Sequence, residues 1–427
     1  MKRVVKVILK ILVGILVFVI VAFGALFILS RCNPELVQRL FAEEPATNIS
    51  FSQLPHDRDS MKIDFDGIHH IVVENYSLYR QKGISMDSLY EVYSALLRDS
   101  VQTADDYGMM LLAYFADLRC GHATPYFICT HFGGAVPRYI EGRLFLDNPG
   151  DYIRGYGFRD KDEIVAINGK TVPDWIAENI RYHEGSTSAR RILKTAEAAL
   201  SSYTDTLLNI TVVRGNETIT LPLPLHGRGY PNPISRERKI LRDSIGYIAV
   251  NTMRNGVVEV FDSLYQSVKD LPYLIIDIRK NGGGNSGNGE TLCQYLLKHE
   301  KKHCLFDRTI KPRADAYRGK VFLLIDTPTF SAAESFAIDL WESGEVTLVG
   351  QPTAGDTGNK PENFQSPSGL NFRIPLSAPR LSPKGFPLEG RGVPPHYEVA
   401  QTVGDFMAGI DTQLEFTLNL IQTSNAH

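Results

Sequence analysis

The fold of this protein is decided by residues 273–284, which read Tyr273-Leu274-Ile275-Ile276-Asp277-Ile278-Arg279-Lys280-Asn281-Gly282-Gly283-Gly284. A nearly continuous apolar run that ends in glycines predicts a strand buried on both faces, as in parallel sheets. Neighbouring segments repeat the pattern: we expect strands over 245–250, 273–278, 321–325 and 346–350, and helices over 257–268, 288–297 and 331–342. This alternation is typical of an α/β domain, in which functional residues gather at the carboxyl ends of the strands.

Two regions with other patterns precede the α/β part. Residues 62–120 have helical periodicity, with an apolar stripe at Leu89, Val92, Tyr93, Leu96 and Leu97. Residues 136–226 instead show short alternating runs between turns, one of them at Asn168-Gly169. We therefore expect a helical subdomain over 56–135, a β-rich domain over 136–226 and an α/β domain over 227–427.

Residues 1–32 are predicted to contain a membrane anchor. Ile11 to Ser30 form a run of 20 residues without a charge, long enough for a helix to cross the hydrocarbon core of a bilayer. Basic residues precede this run, so the positive-inside rule predicts a cytoplasmic N-terminus and an external remainder, joined by a tether over 33–55. A cleaved signal peptide is the alternative, but its apolar region is usually shorter and Arg31 does not suit its cleavage site.

The overall composition is that of a globular protein. The 427 residues are 43% hydrophobic and 22% charged, with a net charge of −3, which excludes a disordered chain and gives no sign of nucleic-acid binding. The chain has five cysteines and no Cys-x-x-Cys pair, so zinc and thioredoxin-like chemistry have no support. We expect mostly free thiols.

Ser331 is the first candidate for a reactive residue. It lies between a predicted buried strand and the helix that follows, where the free N–H groups of the helix start can stabilise an oxyanion. The purely structural alternative is a capping box, because Ser331 and Glu334 have the Ser-x-x-Glu spacing of that motif.

Three further features of the sequence are candidates for a functional site. The glycines at 282–284 allow a ligand to approach the backbone closely; a flexible turn is the alternative, and a phosphate loop lacks its Lys-Ser/Thr. His122 is the natural general base for Ser331 if the fold brings the two together, and is otherwise a structural histidine. Glu389, in Glu-Gly-Arg-Gly-Val-Pro-Pro, is suited to orient the histidine or to remain a solvated loop charge.

Taken together, these segments resemble the S41 serine peptidases, the family of C-terminal processing proteases and tricorn core proteases. Asp277 to Gly284 resembles Asp-x-Arg-x-Asn-x-Gly-Gly, and Ser331 to Glu334 resembles the nucleophile motif Ser-Ala-x-Glu. Residues 153–172 resemble the carboxylate-recognition part of a PDZ domain. The resemblance implies a ClpP/crotonase-like α/β catalytic domain with an N-terminal helical subdomain and an inserted PDZ-like β-rich domain, preceded by one transmembrane helix.

The resemblance also implies a set of catalytic residues. In the tricorn-like plan, Ser331 is the nucleophile, His122 the base and Glu389 its support. The processing proteases use a lysine 25 residues after the serine; this chain has Asp356 there, with Lys360 nearby as the alternative base.

Because Gly121 stands where the tricorn core has a serine, the link from Glu389 to His122 stays open between direct contact, a water and Thr124.

Other implied roles concern binding. The implied oxyanion donors are the N–H groups of Ala332 and of Gly283 or Gly284. The implied substrate-binding residues are Gly155, Gly157, Ile164 and Ile167. No metal or organic cofactor is implied.

The expected function is therefore that of a membrane-anchored serine peptidase outside the cytoplasm, periplasmic or extracellular if the source is bacterial. Its expected partners are polypeptide substrates and a membrane, and no nucleic acid; the oligomeric state stays open. A catalytically inactive peptide- or lipid-binding protein of the same fold is the alternative.

Overall fold

The computed structural model describes residues 47–227, 233–357, 360–378 and 380–423. The predicted membrane anchor, residues 11–30, lies outside these ranges. Within them, no helix has both the length and the apolar character needed to cross a bilayer.

The helices and strands of the described residues are numbered here in chain order. The helices are α1 (Arg58–Asn75), α2 (Met86–Asp99), α3 (Ala104–Asp117), α4 (Asp151–Gly155), α5 (Val172–Asn179), α6 (Ser188–Glu197), α7 (Val257–Tyr265), α8 (Ser286–Leu296), α9 (Ala332–Ser343), α10 (Val403–Met407) and α11 (Thr412–Thr423). The first nine strands are β1 (Thr124–Pro125), β2 (His131–Phe132), β3 (Arg138–Ile140), β4 (Arg143–Phe145), β5 (Glu163–Ile167), β6 (Lys170–Thr171), β7 (Ser201–Ser202), β8 (Leu207–Arg214) and β9 (Glu217–Pro224). The others are β10 (Arg238–Leu241), β11 (Ile245–Ala249), β12 (Tyr273–Asp277), β13 (Lys301–Lys302), β14 (Thr309–Ile310), β15 (Lys320–Ile325), β16 (Val346–Gly350), β17 (Pro361–Gln365), β18 (Asn371–Pro375) and β19 (Tyr397–Glu398).

A mixed six-stranded sheet forms the centre of the α/β part, in the order β10-β11-β12-β15-β16-β19. β10 is antiparallel to β11, and the other neighbours are parallel. The helices α7, α8 and α9 each connect two successive parallel strands, as the alternating sequence pattern predicts. The loops that follow β12, β15 and β16 therefore meet at one edge of the sheet.

Both faces of this sheet are buried. Leu274 and Ile276 of β12 contribute to a core with α7, α8 and α9, whereas Ile275 points to the opposite core with Leu418 of α11. This two-sided burial explains why the β12 sequence is an unbroken apolar run instead of an alternating one.

The N-terminal helices pack together with a hairpin from late in the sequence. α1, α2 and α3 share a core with Phe372 and Ile374 of β18, and β1 pairs with β18. Asp64 of α1 is 1% exposed and accepts hydrogen bonds from Tyr107 Oη at 2.9 Å and from the Ser368 backbone at 2.7 Å. The β17–β18 hairpin thus lies within the predicted α/β part, 227–427, but packs against the predicted helical part, 56–135.

The inserted domain is built on an antiparallel sheet in the order β3-β4-β5-β8-β9, with β6 beside β5. Its core includes Ile164 and Ile167, which are 1% and 0% exposed. β5 is paired on both sides, with β4 and β8, so it has no free edge for another strand. The two side chains predicted to bind substrate, Ile164 and Ile167, therefore lie in the core of the insert, although Ile167 also lines a cavity of about 280 Å³.

We predict that Asp64→Ala lowers the free energy of unfolding by about 3 kcal/mol, because it leaves two buried donors without a charged acceptor. Asp59→Ala, at an exposed position of the same helix, serves as the control and is expected to cost less than about 0.5 kcal/mol. Urea denaturation of the two variants checks this. Equal stabilities would show that Asp64 does not join the helices to the hairpin.

Candidate active site

Ser331 occupies the turn that enters α9. Its backbone angles, φ 57° and ψ −121°, lie in a region that side-chain-bearing residues rarely adopt, so the turn is strained. Strain of this kind at a strand-to-helix turn exposes a side chain at the edge of the sheet, as it does for the nucleophilic serine of α/β-hydrolases.

The carboxylate of Glu334 holds this turn in place. Its Oε2 accepts from the backbone N–H of Ser331 and of Asp356, each at 3.0 Å. Its Oε1 accepts from Thr353 Oγ1 and from the Gly355 N–H, each at 2.6 Å. The capping interaction predicted from the Ser-x-x-Glu spacing is thus present, and it leaves the Ser331 hydroxyl free for another contact.

That contact is made by His122. Its Nε2 lies 3.0 Å from Ser331 Oγ, within hydrogen-bonding distance. His122 is 3% exposed, follows α3, and is fixed on its other side because Thr124 of β1 pairs with Arg373 of β18. Its ring packs against Phe330, with 4.7 Å between centroids.

The surroundings of His122 keep its imidazole neutral. Burial lowers its pKa to about 4; Asp356 acts against this shift, and Arg373 and Lys82 add to it. Its Nδ1 is buried and has no hydrogen-bond partner among the described residues. A neutral imidazole with Nε2 on a hydroxyl is the arrangement that a general base requires.

The glycine turn after β12 packs directly against Ser331. A Cβ on residue 283 would lie 2.7 Å from the Phe330 carbonyl oxygen and 2.9 Å from Ser331 Cβ, so only glycine fits there. The Gly283 N–H is already donated to Asn281 Oδ1 at 2.9 Å, which corrects its prediction as an oxyanion donor. Of the three predicted donors, Ala332 and Gly284 keep N–H groups that no described residue accepts.

Glu389 does not touch His122 in this structure. Its Oε1 accepts from Lys82 Nζ at 2.6 Å and is also in hydrogen-bonding contact with Ser186 Oγ, whereas its Oε2 is buried without a partner among the described residues. Thr124 Oγ1 donates to the Pro125 carbonyl oxygen. Among the described residues, no hydrogen bond therefore joins Glu389 to His122, either directly or through Thr124.

Asp356 is the carboxylate beside His122. Its Oδ1 accepts from the Gly121 N–H at 2.7 Å and contacts Ser186 Oγ, and its Oδ2 accepts from the Ser186 N–H at 3.3 Å. In the sequence, Asp356 is notable only because it stands at the position of a missing lysine. An acid between Gly355 and Gly358 was a usable signal for it, but nothing in the sequence distinguished Lys82 or Ser186.

The other predicted residues lie elsewhere. Lys360 has a side chain that is 79% exposed and pairs with Glu362 at 3.0 Å, while His122 occupies the position beside Ser331 Oγ. Gly155 ends α4 and Gly157 follows it, both on the surface of the insert.

A cavity of about 600 Å³ opens next to the turn that carries Ser331. It lies between the edge strand β3 of the insert, at Tyr139 and Ile140, and the carboxyl ends of β12 and β15, at Asp277 and Asp326. Its lining includes Pro328 of the turn but not Ser331 itself, so it adjoins the site without containing it.

Two buried groups of side chains have the composition of metal ligands. Cys120, His122 and Asp356 have potential ligand atoms within 4.8 Å of one another, as do His303, Cys304 and Asp339. In the second group Lys301 Nζ donates to Asp339, so a cation is already supplied by the chain. The four described cysteines are all free thiols.

We predict that His122 titrates with a pKa of about 4, well below the 6.5 of an unperturbed histidine, because its burial disfavours the imidazolium. The unfolded chain then binds this proton more readily, so stability is lost as the pH falls from about 6.5 to about 4. An NMR titration of the imidazole nitrogens, assigned with His122→Gln, measures the value. A midpoint near 6.5 would contradict the described burial.

Comparison with known proteins supports a single family. The sequence model of "Peptidase family S41" matches residues 244–399, and that of "Bacteroidetes, Peptidase, S41 family, N-terminal domain" matches residues 139–225. The first match contains Ser331 and every strand of the central sheet except β10, and the second coincides with the inserted domain.

Individual relatives agree with this result. The chain is 26% identical over 290 residues to the carboxyl-terminal-processing protease of Picosynechococcus, covering 64% of each chain. It is 23% identical over 277 residues to the carboxy-terminal processing protease CtpB of Bacillus subtilis, covering 62% of this chain and 53% of the relative. The match thus spans between about half and two thirds of the length of these relatives.

Among solved structures, mature CPAF complexed with lactacystin has the same fold. The TM-score is 0.71 at 14% identity, covering 86% of this chain and 98% of CPAF. The chain thus contains a domain of peptidase family S41 over residues 244–399 and the N-terminal domain of an S41 peptidase family over residues 139–225.

Proposed function

We propose that this protein is a serine peptidase that hydrolyses peptide bonds of polypeptides, with Ser331 as nucleophile and His122 as general base. The observation that carries the proposal is the 3.0 Å contact between His122 Nε2 and Ser331 Oγ at a strained helix-entry turn. This contact favours an enzyme over a catalytically inactive peptide- or lipid-binding protein, and His122 over Lys360 as the base.

The reaction follows from the positions of these atoms. Ser331 Oγ attacks the scissile carbonyl carbon while its proton passes to His122 Nε2. The carbonyl oxygen becomes an oxyanion, for which the N–H of Ala332, at the start of α9, is the proposed donor together with that of Gly284. His122 then protonates the leaving amine, and the C–N bond breaks to give an acyl-enzyme.

The second half of the cycle uses the same groups. A water molecule gives a proton to His122 Nε2 and attacks the acyl carbon, and the proton returns to Ser331 Oγ as the carboxylic acid leaves. Because His122 must be neutral in both halves, its low pKa extends activity toward acidic pH.

We propose the edge strand β3 as the place where substrate docks on a PDZ-like insert. β3 lies at the end of its sheet and lines the cavity beside the nucleophile turn, so an extended peptide added to β3 would lead toward Ser331. This replaces the expected role of Ile164 and Ile167, which are buried. Gly155 and Gly157 remain proposed contacts, on the surface of the same domain.

We also propose that residues 11–30 anchor the chain in a membrane, with the N-terminus in the cytoplasm and the peptidase part outside it. The support is the uncharged run with basic residues before it. Polypeptides on that side of the membrane would then be the substrates.

Ser331→Ala is expected to lower casein hydrolysis by at least about 10³-fold, because the nucleophile is lost. It should also abolish labelling by a fluorophosphonate probe. Ser368→Ala, at an exposed serine of the β17–β18 turn, is the control and should retain both. Equal hydrolysis by the wild-type protein and Ser331→Ala would refute the peptidase assignment.

A further inference from the structure

The imidazole of His122 lacks the acceptor that a serine-type base requires. With Nε2 receiving the Ser331 hydroxyl proton, Nδ1 carries a hydrogen, and this buried atom has no partner among the described residues. Buried donors are nearly always satisfied. Glu389, to which the sequence assigns this role, has its Oε1 on Lys82 and Ser186 and makes no hydrogen bond to His122 among the described residues.

We propose that Asp356 is the carboxylate that positions His122, and that Ser186 of the inserted domain connects Asp356 to the Glu389–Lys82 ion pair. This inference rests on the proposed peptidase function. Both Asp356 and Ser186 are positioning residues, because neither touches Ser331 or a substrate.

The space for Asp356 is provided by Gly121. A Cβ on residue 121 would lie 2.9 Å from Asp356 Oδ2 and 2.7 Å from Phe330 Cε2. The carboxylate therefore occupies the volume that a side chain at position 121 would need, and it anchors there by accepting the Gly121 N–H. An Asp356 carboxylate oxygen lies within 4.8 Å of a His122 ring nitrogen, a gap that a small rotation or one water closes.

The charges around His122 support the same assignment. Asp356 is the group that favours the imidazolium, whereas Arg373 of β18 and Lys82 disfavour it. The neighbouring Cys120 thiol is buried, and its pKa is raised by that burial and by Glu389 and Asp356, so it stays neutral. Asp356 is thus the charge suited to stabilise the imidazolium that forms when Ser331 loses its proton.

The Ser186 hydroxyl lies between the carboxyl groups of Asp356 and Glu389. Its single hydroxyl proton faces both Asp356 Oδ1 and Glu389 Oε1, and its oxygen also accepts from Lys82 Nζ at 2.8 Å. A single hydroxyl proton can be donated to only one of these carboxyl groups at a time, so Ser186 couples Asp356 to Glu389. Burial, and next Asp356, raise the pKa of Glu389.

The inserted domain thereby becomes part of the catalytic centre. The segment carrying Ser186 is held by Thr187 Oγ1, which donates to the Ala354 carbonyl oxygen at 3.0 Å, and by the pairing of Glu184 with Lys194. The orientation of His122 should therefore depend on how the insert is seated on residues 353–356.

Asp356→Asn tests the assignment. We expect kcat to fall by about 10²–10⁴-fold with little change in KM, and the His122 pKa measured by NMR to fall below its wild-type value, because the favouring charge is gone. Glu389→Gln should change kcat by less than about 10-fold and move the His122 pKa less. Asp307→Asn, whose side chain is fully exposed, is the matched control.

Ser186→Ala provides a second test that keeps both carboxyl groups, in case Asp356→Asn does not fold. We expect a lower kcat and a shifted His122 titration at unchanged secondary structure, measured by circular dichroism. The inference is overturned if Glu389→Gln alters kcat and the His122 pKa as much as Asp356→Asn, or if neither Asp356→Asn nor Ser186→Ala moves that pKa. The NMR titration needs no turnover, so its outcome is separate from a failure of the Ser331→Ala experiment.

Discussion

The site depends on the hydrogen bonds that the buried carboxylate of Glu334 accepts. It joins the strained turn after β15, through the Ser331 N–H, to the loop after β16, through the N–H groups of Gly355 and Asp356. Burial raises the pKa of Glu334 to about 8, and the groups that donate to it act against that shift. Four donors converge on its two oxygens, so a single side chain fixes both the turn that carries Ser331 and the position of Asp356.

The residues around Glu334 come from three parts of the chain. The α/β sheet supplies Ser331, the helical subdomain supplies His122, and the insert supplies Ser186, which lies 145 positions before Ser331 in the sequence. The β17–β18 hairpin ties the first two parts together, because it continues from the sheet but packs in the core of the helical subdomain. This packing of the hairpin explains why His122 Nε2 lies 3.0 Å from Ser331 Oγ although the two residues are 209 positions apart in the sequence.

Local sequence patterns predicted the strands that are buried on both faces, but they did not predict which residues of a partly covered helix are buried. The strands at 245, 273, 321 and 346 were predictable to within about one residue, because a strand buried on both faces has an unbroken apolar sequence. On α2, in contrast, Val92 belongs to the apolar stripe but is 61% exposed, whereas Tyr93 and Leu97 of the same stripe are buried and Leu89 and Leu96 are partly buried. Periodicity shows that a helix has an apolar face, but it does not show how much of that face another element covers.

The sequence alone determined the α/β class and identified three candidate parts of the site: Ser331 at a helix start, the glycines after β12, and His122. These are properties of short segments, and short segments are legible without a fold. The tertiary structure alone decided which carboxylate lies beside His122, because Gly121 leaves room for Asp356 and the Glu389 carboxylate is directed to Lys82 and Ser186. It also decided that Gly283 is not a free donor, since the Asn281 side chain folds back onto its N–H. Such outcomes follow from competition among buried hydrogen-bond partners, and the partners are brought together only when distant segments pack.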